Sequence, residues 1–164
     1  MKLLRSARFF VTLTSCLTFI FLNGCKDDNE DYPLIPNAVY VVSNAITGPG
    51  STASTAITNS ASGKVSVSPA VARVYVNTLK DFDITITYSL SGTAVAGVNY
   101  TVPSPTNVTI PAGKWFADIK IPVINTPLSG NKTIIITLNT ATNDVQLGLG
   151  ADRTYKTFTY TLTN

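Results

Sequence analysis

The sequence predicts an all-β fold, an antiparallel two-sheet β-sandwich of seven or eight strands, and three observations carry that reading. Apolar residues recur at every second position: Phe82, Ile84, Ile86 and Tyr88 alternate with Asp83, Thr85 and Thr87, and Ile119, Ile121 and Val123 alternate with Asp118, Lys120 and Pro122. Ile134, Ile136 and Leu138, and later Phe158, Tyr160 and Leu162, repeat the device. Such alternation buries one face of a strand and wets the other. Turn formers punctuate these runs at Ser91-Gly92, Pro103 to Pro105, Pro111-Ala112-Gly113, Pro127 to Gly130 and Gly148 to Gly150, at spacings typical of antiparallel sandwiches. Finally, no stretch after residue 24 combines a 3.6-residue period with caps, whereas enrichment in Thr, Val, Ile and Tyr suits pleated surfaces.

The N-terminus stands apart from that fold. Lys2, Arg5 and Arg8 precede a run of 14 apolar and hydroxyl residues, Phe9 to Leu22. A membrane-spanning helix needs roughly 20 residues, so the run reads as a signal peptide covering residues 1–24. The residues that follow it, Leu22-Asn23-Gly24-Cys25, resemble a bacterial lipobox, although Asn23 departs from the usual small or hydroxyl residue there. The resemblance implies that Cys25 is lipidated and becomes the mature N-terminus. With Cys16 removed and Cys25 bearing lipid, neither of the two cysteines is left for a disulfide. Stability then rests on a packed core, which the remaining 140 residues are long enough to build.

Residues 25–37 read as an acidic tether. Lys26-Asp27-Asp28-Asn29-Glu30-Asp31 has nothing apolar to bury and stays solvated. It also resembles the Lys-then-acidic signal that follows the lipidated cysteine in surface-exported Bacteroidetes lipoproteins; a generic charged spacer is the alternative. The resemblance implies an outer-membrane protein held through its lipid and facing the cell exterior. Once the three signal-peptide cations are gone, nine basic residues face nine acidic ones. The chain carries no basic stripe and no nucleic-acid partner is expected.

The domain itself spans residues 38–164. Ala38 to Ser43 reads as a first strand with two apolar faces. Residues 44–63 are rich in Ser, Thr, Ala and Gly without a period, which predicts a loop, with a weak edge strand around Ala53 to Ile57 as the alternative. Lys64 to Val67 and Ala70 to Asn77 follow as strands; in the second, Val74 and Val76 share a parity opposite Arg73 and Tyr75.

A recognisable order of elements then appears: Ile84-Thr85-Ile86-Thr87-Tyr88, Ser91-Gly92-Thr93-Ala94, Ala96-Gly97, Asn99-Tyr100, and Val108-Thr109-Ile110-Pro111-Ala112-Gly113. With Ile119 to Val123 and Lys132 to Leu138, this resembles a Calx-beta domain. The resemblance implies an immunoglobulin-like, Calx-beta-like sandwich, and it raises calcium binding, the property of that family. Calcium takes six to eight oxygen ligands, several of them carboxylates. Where the family pattern carries acids, this chain has Ser91, Asn99, and Asn125-Thr126, and Leu128 to Lys132 has no acid either. No metal site and no cofactor are expected.

Catalytic chemistry is equally sparse. The chain has no histidine, which removes the commonest general base and transition-metal ligand. A carboxylate pair would draw on Asp81, Asp83, Asp118, Asp144 and Asp152, all beside Lys, Thr or Asn in strand or turn contexts; only Asp81 and Asp83 share a strand parity. The chain therefore reads as non-enzymatic, an accessory interaction or structural module of the cell envelope. A glycan-binding module is the alternative, with Trp115 and Phe116, directly after the Pro-Ala-Gly turn, as the candidate platform. Regular alternation puts Trp115 in the core and Phe116 outside; a bulge would reverse them.

Overall fold

The computed structural model describes residues 36–43 and 57–164. The signal segment, residues 25–35 of the tether with Cys25, and residues 44–56 of the predicted loop lie outside the described residues. Pro36–Asn164 forms one compact unit, and the described residues contain nine strands and no helix.

The strands are β1 (Ala38–Ser43), β2 (Ser60–Lys64), β3 (Ala70–Val76), β4 (Ile84–Ser91), β5 (Asn107–Ile110), β6 (Phe116–Ile121), β7 (Lys132–Ala141), β8 (Gln146–Leu147) and β9 (Thr157–Thr163). They form a four-stranded sheet in the order β6-β3-β1-β8 and a five-stranded sheet in the order β2-β9-β7-β4-β5. Nine strands replace the seven or eight expected from sequence, and the sheets are mixed rather than purely antiparallel. Two edge pairings, β1 with β8 and β2 with β9, are parallel. Neither pair is joined by a tight turn, so each small edge strand meets a neighbour distant in sequence and its direction is unconstrained by a hairpin.

The alternation seen in the sequence decides which side chains meet between the sheets. From one sheet Val39, Val41, Val74, Ile119 and Ile121 enter the core; from the other come Ile84, Ile86, Ile134, Ile136, Leu138, Phe158 and Leu162. Each such buried side chain contributes about 1.5–3 kcal/mol through removal from water. Strand β7, ten residues long, sits between β4 and β9. Its register against β4 shifts between Thr87 and Tyr88 and skips Asn139, a bulge that keeps Tyr88 and Leu138 on the buried face. Tyr100, expected to lay its ring on the core, is 4% exposed within it and bridges to Val123.

Strand β2 corrects the loop expected over 44–63, because residues 60–63 are part of a strand. Ser-Ala-Ser-Gly carries no apolar alternation, so the strand signal is missing from the side chains. The strand exists through its backbone: Ser60 to Lys64 run in register with Thr159 to Thr163, the Val65 N–H donates to the Thr163 carbonyl at 2.8 Å, and the Thr159 N–H donates to the Asn59 carbonyl at 2.9 Å. A Cβ at Gly63 would run into the Tyr160 hydroxyl.

The outer faces of the two sheets differ. That of the five-stranded sheet is covered with hydroxyls, including Thr85 on Thr109 at 3.0 Å and Thr87 on Thr140 at 2.6 Å. That of the four-stranded sheet carries aromatic rings and an ion pair.

Two outcomes are expected from this architecture. Ile136→Ala, at a position 1% exposed, is expected to lower unfolding free energy by about 2–5 kcal/mol in chemical denaturation. Burial also raises the phenol pKa of Tyr88 and Tyr160, and burial with the neighbouring Tyr75 raises that of Tyr40. A group raised in the folded state stabilises fully below its unfolded value, about 10 for tyrosine, and loses that contribution as pH climbs through the folded value. Thermal melting is therefore expected to be insensitive to tyrosine ionisation below that pH and to fall above it, in step with delayed tyrosinate absorbance.

Candidate functional site

The candidate site is built on the outer face of the four-stranded sheet. In antiparallel register, Tyr40 of β1 lies opposite Tyr75 of β3, and Tyr75 lies opposite Phe116 of β6. The rings follow that register as a row. Tyr40 and Tyr75 stack with centroids 5.9 Å apart and planes 18° apart, and Tyr75 meets Phe116 at 5.4 Å and 50°. Both separations lie in the favourable range for aromatic pairs. Tyr75 is consequently only 4% exposed although it points away from the main core.

The next register row holds Arg73 opposite Asp118. The Arg73 Nε–H donates to Asp118 Oδ1 at 2.6 Å and an Nη2–H to Oδ2 at 3.0 Å, a bidentate pair. The guanidinium carbon also sits 3.9 Å from the centroid of the Phe116 ring, a cation–π contact. The hydrogen bond to Asp118 is the main reason the Arg73 pKa lies above its ordinary value.

These contacts place the two aromatic residues predicted as a platform. Trp115 is half-buried and packs against the core. Phe116 lies on the outer face as regular alternation requires, but Tyr75 and the Arg73 guanidinium lie against its ring. At the other end of the row the half-buried Tyr155 meets Tyr40 at 6.4 Å and 59°.

Tyr155 is held there by an irregular segment that grows from β8. The Gly148 N–H donates to the Val39 carbonyl at 2.7 Å, and Leu149 and Thr154 bond each other's backbones at 2.8 and 3.0 Å. Gly148 has φ +80° and no room for a Cβ, which would meet the Arg153 carbonyl oxygen, so this turn admits only glycine. The Val41 N–H then donates to the Tyr155 carbonyl at 2.8 Å. Tyr155 itself adopts φ 59°, rare for a bulky residue and sustained only where the surroundings over-determine it.

Beside Tyr155 a groove of about 430 Å³ opens, lined by Ile57, Thr58, Asn59, Ser60, Thr154 and Tyr155. Its second wall is also pinned to the sheets: the Ser43 N–H donates to the Thr58 carbonyl at 3.0 Å, and Asn59 is bonded to β9. Sequence reasoning missed this site. Its two walls are about 95 residues apart in the chain, and the only local signal was the Gly148 to Gly150 turn.

Among the described residues the carboxylates do not converge. Asp118 is committed to Arg73, Asp83 accepts the Ala112 N–H at 2.8 Å to close the Pro-Ala-Gly turn, and Asp81, Asp144 and Asp152 are exposed. Among the described residues no three Asp, Glu, His or Cys side chains gather where they could hold a metal ion. Of the positions at which the Calx-beta resemblance would put acids, Asn99 serves the loop between β4 and β5 instead, and Ser91 is an exposed hydroxyl. The Asn99 side chain is buried and accepts the Val95 N–H through Oδ1 at 2.8 Å, while Thr93 and Thr133 hydroxyls meet at 3.2 Å. Asn125 is an exposed neutral amide. The residues present do not fit a calcium ion.

No family model matches the chain, and no curated protein matches it. Solved structures do. The crystal structure of calcium binding domain CBD12 of CALX1.1 is similar with a TM-score of 0.53 and 17% identity, covering 63% of this chain and 40% of that chain. The apo-form Calx CBD1 domain gives 0.52 at 17% identity, covering 63% of this chain and 88% of that one. The chain thus spans two fifths of the length of the first relative, and at this identity the likeness establishes the fold, which is Calx-beta-like.

Millimolar calcium is expected to leave the melting temperature of this protein unchanged, because binding to the folded state alone would raise it. A calcium-dependent rise in differential scanning calorimetry, abolished by chelator, would contradict the ligand set described above.

Proposed function

We propose that this chain is a lipid-anchored protein of the bacterial outer membrane that presents a non-enzymatic β-sandwich to the cell exterior as an interaction module. One observation carries the reading: Cys25 stands where the apolar run of Phe9 to Leu22 ends and the charged tether begins. Lipid on Cys25 supplies the membrane attachment, and the acidic hexapeptide keeps a solvated spacer between lipid and domain. The absence of histidine from the chain and the separation of its carboxylates support a binding role rather than acid–base catalysis. Similarity to non-catalytic sandwiches supports the architecture alone.

Metabolic labelling with palmitate tests the anchor. Wild type is expected to incorporate label and partition into detergent, and Cys25→Ser to do neither; an unlabelled wild-type protein in the soluble fraction would sink the proposal. Orientation is read separately by adding protease to intact cells, where degradation of the sandwich is expected and full protection would place it on the periplasmic side.

A further inference from the structure

The groove between Ile57–Ser60 and Thr154–Tyr155 has a chemistry that narrows its ligand. Its side chains are one phenol, one isoleucine, three hydroxyls and one amide, with no carboxylate, ammonium or guanidinium among them. A neutral lining gives no counter-charge to a phosphate, a carboxylate or a metal ion. It is also too polar to suit an acyl chain. The combination left is an apolar ring surface flanked by uncharged hydrogen-bonding groups, which matches a molecule bearing C–H faces and rims of hydroxyls.

The polar groups differ in availability. The Thr58 hydroxyl donates to the Ser60 carbonyl at 2.9 Å and the Thr154 hydroxyl to the Leu149 carbonyl at 3.2 Å. Among the described residues, the Asn59 amide and the Ser60 hydroxyl have no hydrogen-bond partner, and both residues are exposed. An amide offers two donors and an acceptor, and a hydroxyl offers one donor with acceptor capacity. Together they can answer the adjacent hydroxyls of a pyranose ring.

The groove is also preformed. One wall hangs from Val41 and Val39 through Tyr155 and Gly148, and the other from Ser43 and Thr159 through Thr58 and Asn59. The backbone of both walls is therefore held before a ligand arrives, which lowers the ordering cost of binding. The volume of about 430 Å³ falls in the usual range for small-ligand sites.

We infer that this groove binds a neutral saccharide, with a sugar ring against Tyr155 and its hydroxyls met by Asn59 and Ser60. The inference deepens the interaction-module reading by naming a ligand class, and it rests on that reading only for where the encounter takes place. The binding readout is independent of lipid on Cys25, so failure of one is distinguishable from failure of the other.

The test is calorimetric titration of the purified full chain with maltoheptaose, cellohexaose, xylohexaose and mannohexaose, with polygalacturonate as a charged comparison. At least one neutral oligosaccharide is expected to bind. Tyr155→Ala is expected to weaken it at least tenfold and Asn59→Ala several-fold, while Thr109→Ala, on β5 at the far edge of the five-stranded sheet, leaves it unchanged. Because Tyr155 supports its own turn, melting curves accompany each variant, and the exposed Asn59 provides the substitution that leaves the fold intact. No binding to any neutral saccharide, binding confined to polygalacturonate, or binding indifferent to both Tyr155→Ala and Asn59→Ala would each overturn the inference.

Discussion

The dry seam between the two sheets is the constraint on which the rest of the molecule depends. With no cysteine in residues 36–164 and no metal-binding cluster among its described residues, the domain is held by side chains such as Val74, Ile86, Ile136 and Phe158, all 0–1% exposed. Their common burial sets the register of the strands that carry them, since a slip of one residue would send each of them to water. That registration then positions the outer surface. Tyr40, Tyr75 and Phe116 form a row because Val39, Val41, Val74 and Ile119 on the same strands have already been drawn inward.

The two outer faces divide the remaining work. Threonine hydroxyls on the five-stranded sheet bond one another across strands, Thr85 with Thr109 and Thr87 with Thr140. On the four-stranded sheet, burying Tyr75 under Tyr40 and Phe116 builds a second, smaller apolar layer, closed at one end by the Arg73–Asp118 pair. The other end is left to Tyr155. A site placed there borrows its rigidity from β1, which touches the core with one face and the aromatic row with the other.

The sequence disclosed the strands that bury a face and was silent on those that do not. Ile84 to Tyr88, Ile119 to Val123, Ile134 to Leu138 and Phe158 to Leu162 announce themselves because their periodicity is written in side chains. Strand β2 could not be read that way: its Ser, Ala and Gly residues show no apolar alternation, and its hydrogen bonds are made by a backbone that looks alike everywhere. The direction of its pairing, and that of β8, depends on partners far along the chain. The same reason hid the groove. Trp115 and Phe116 stood out as adjacent aromatics after a turn, whereas Tyr155 and Asn59 become neighbours only after both sheets have formed. The neutral replacements Ser91, Asn99 and Asn125, by contrast, were legible at once, because a missing charge is a property of composition and not of fold.

The modest edges of the sheets have a consequence for how many molecules can share one surface. Strand β8 is two residues long, β5 is four and ends at Pro111, β6 displays Asp118 and Lys120 outward, and β2 closes with Lys64. Short, charged or proline-ended borders are poor templates for strand addition by a neighbouring chain. Proteins confined to a plane meet one another far more often than the same number in free solution. If the proposed lipid anchor holds the sandwich to such a plane, borders of this kind disfavour edge-to-edge pairing between neighbouring copies.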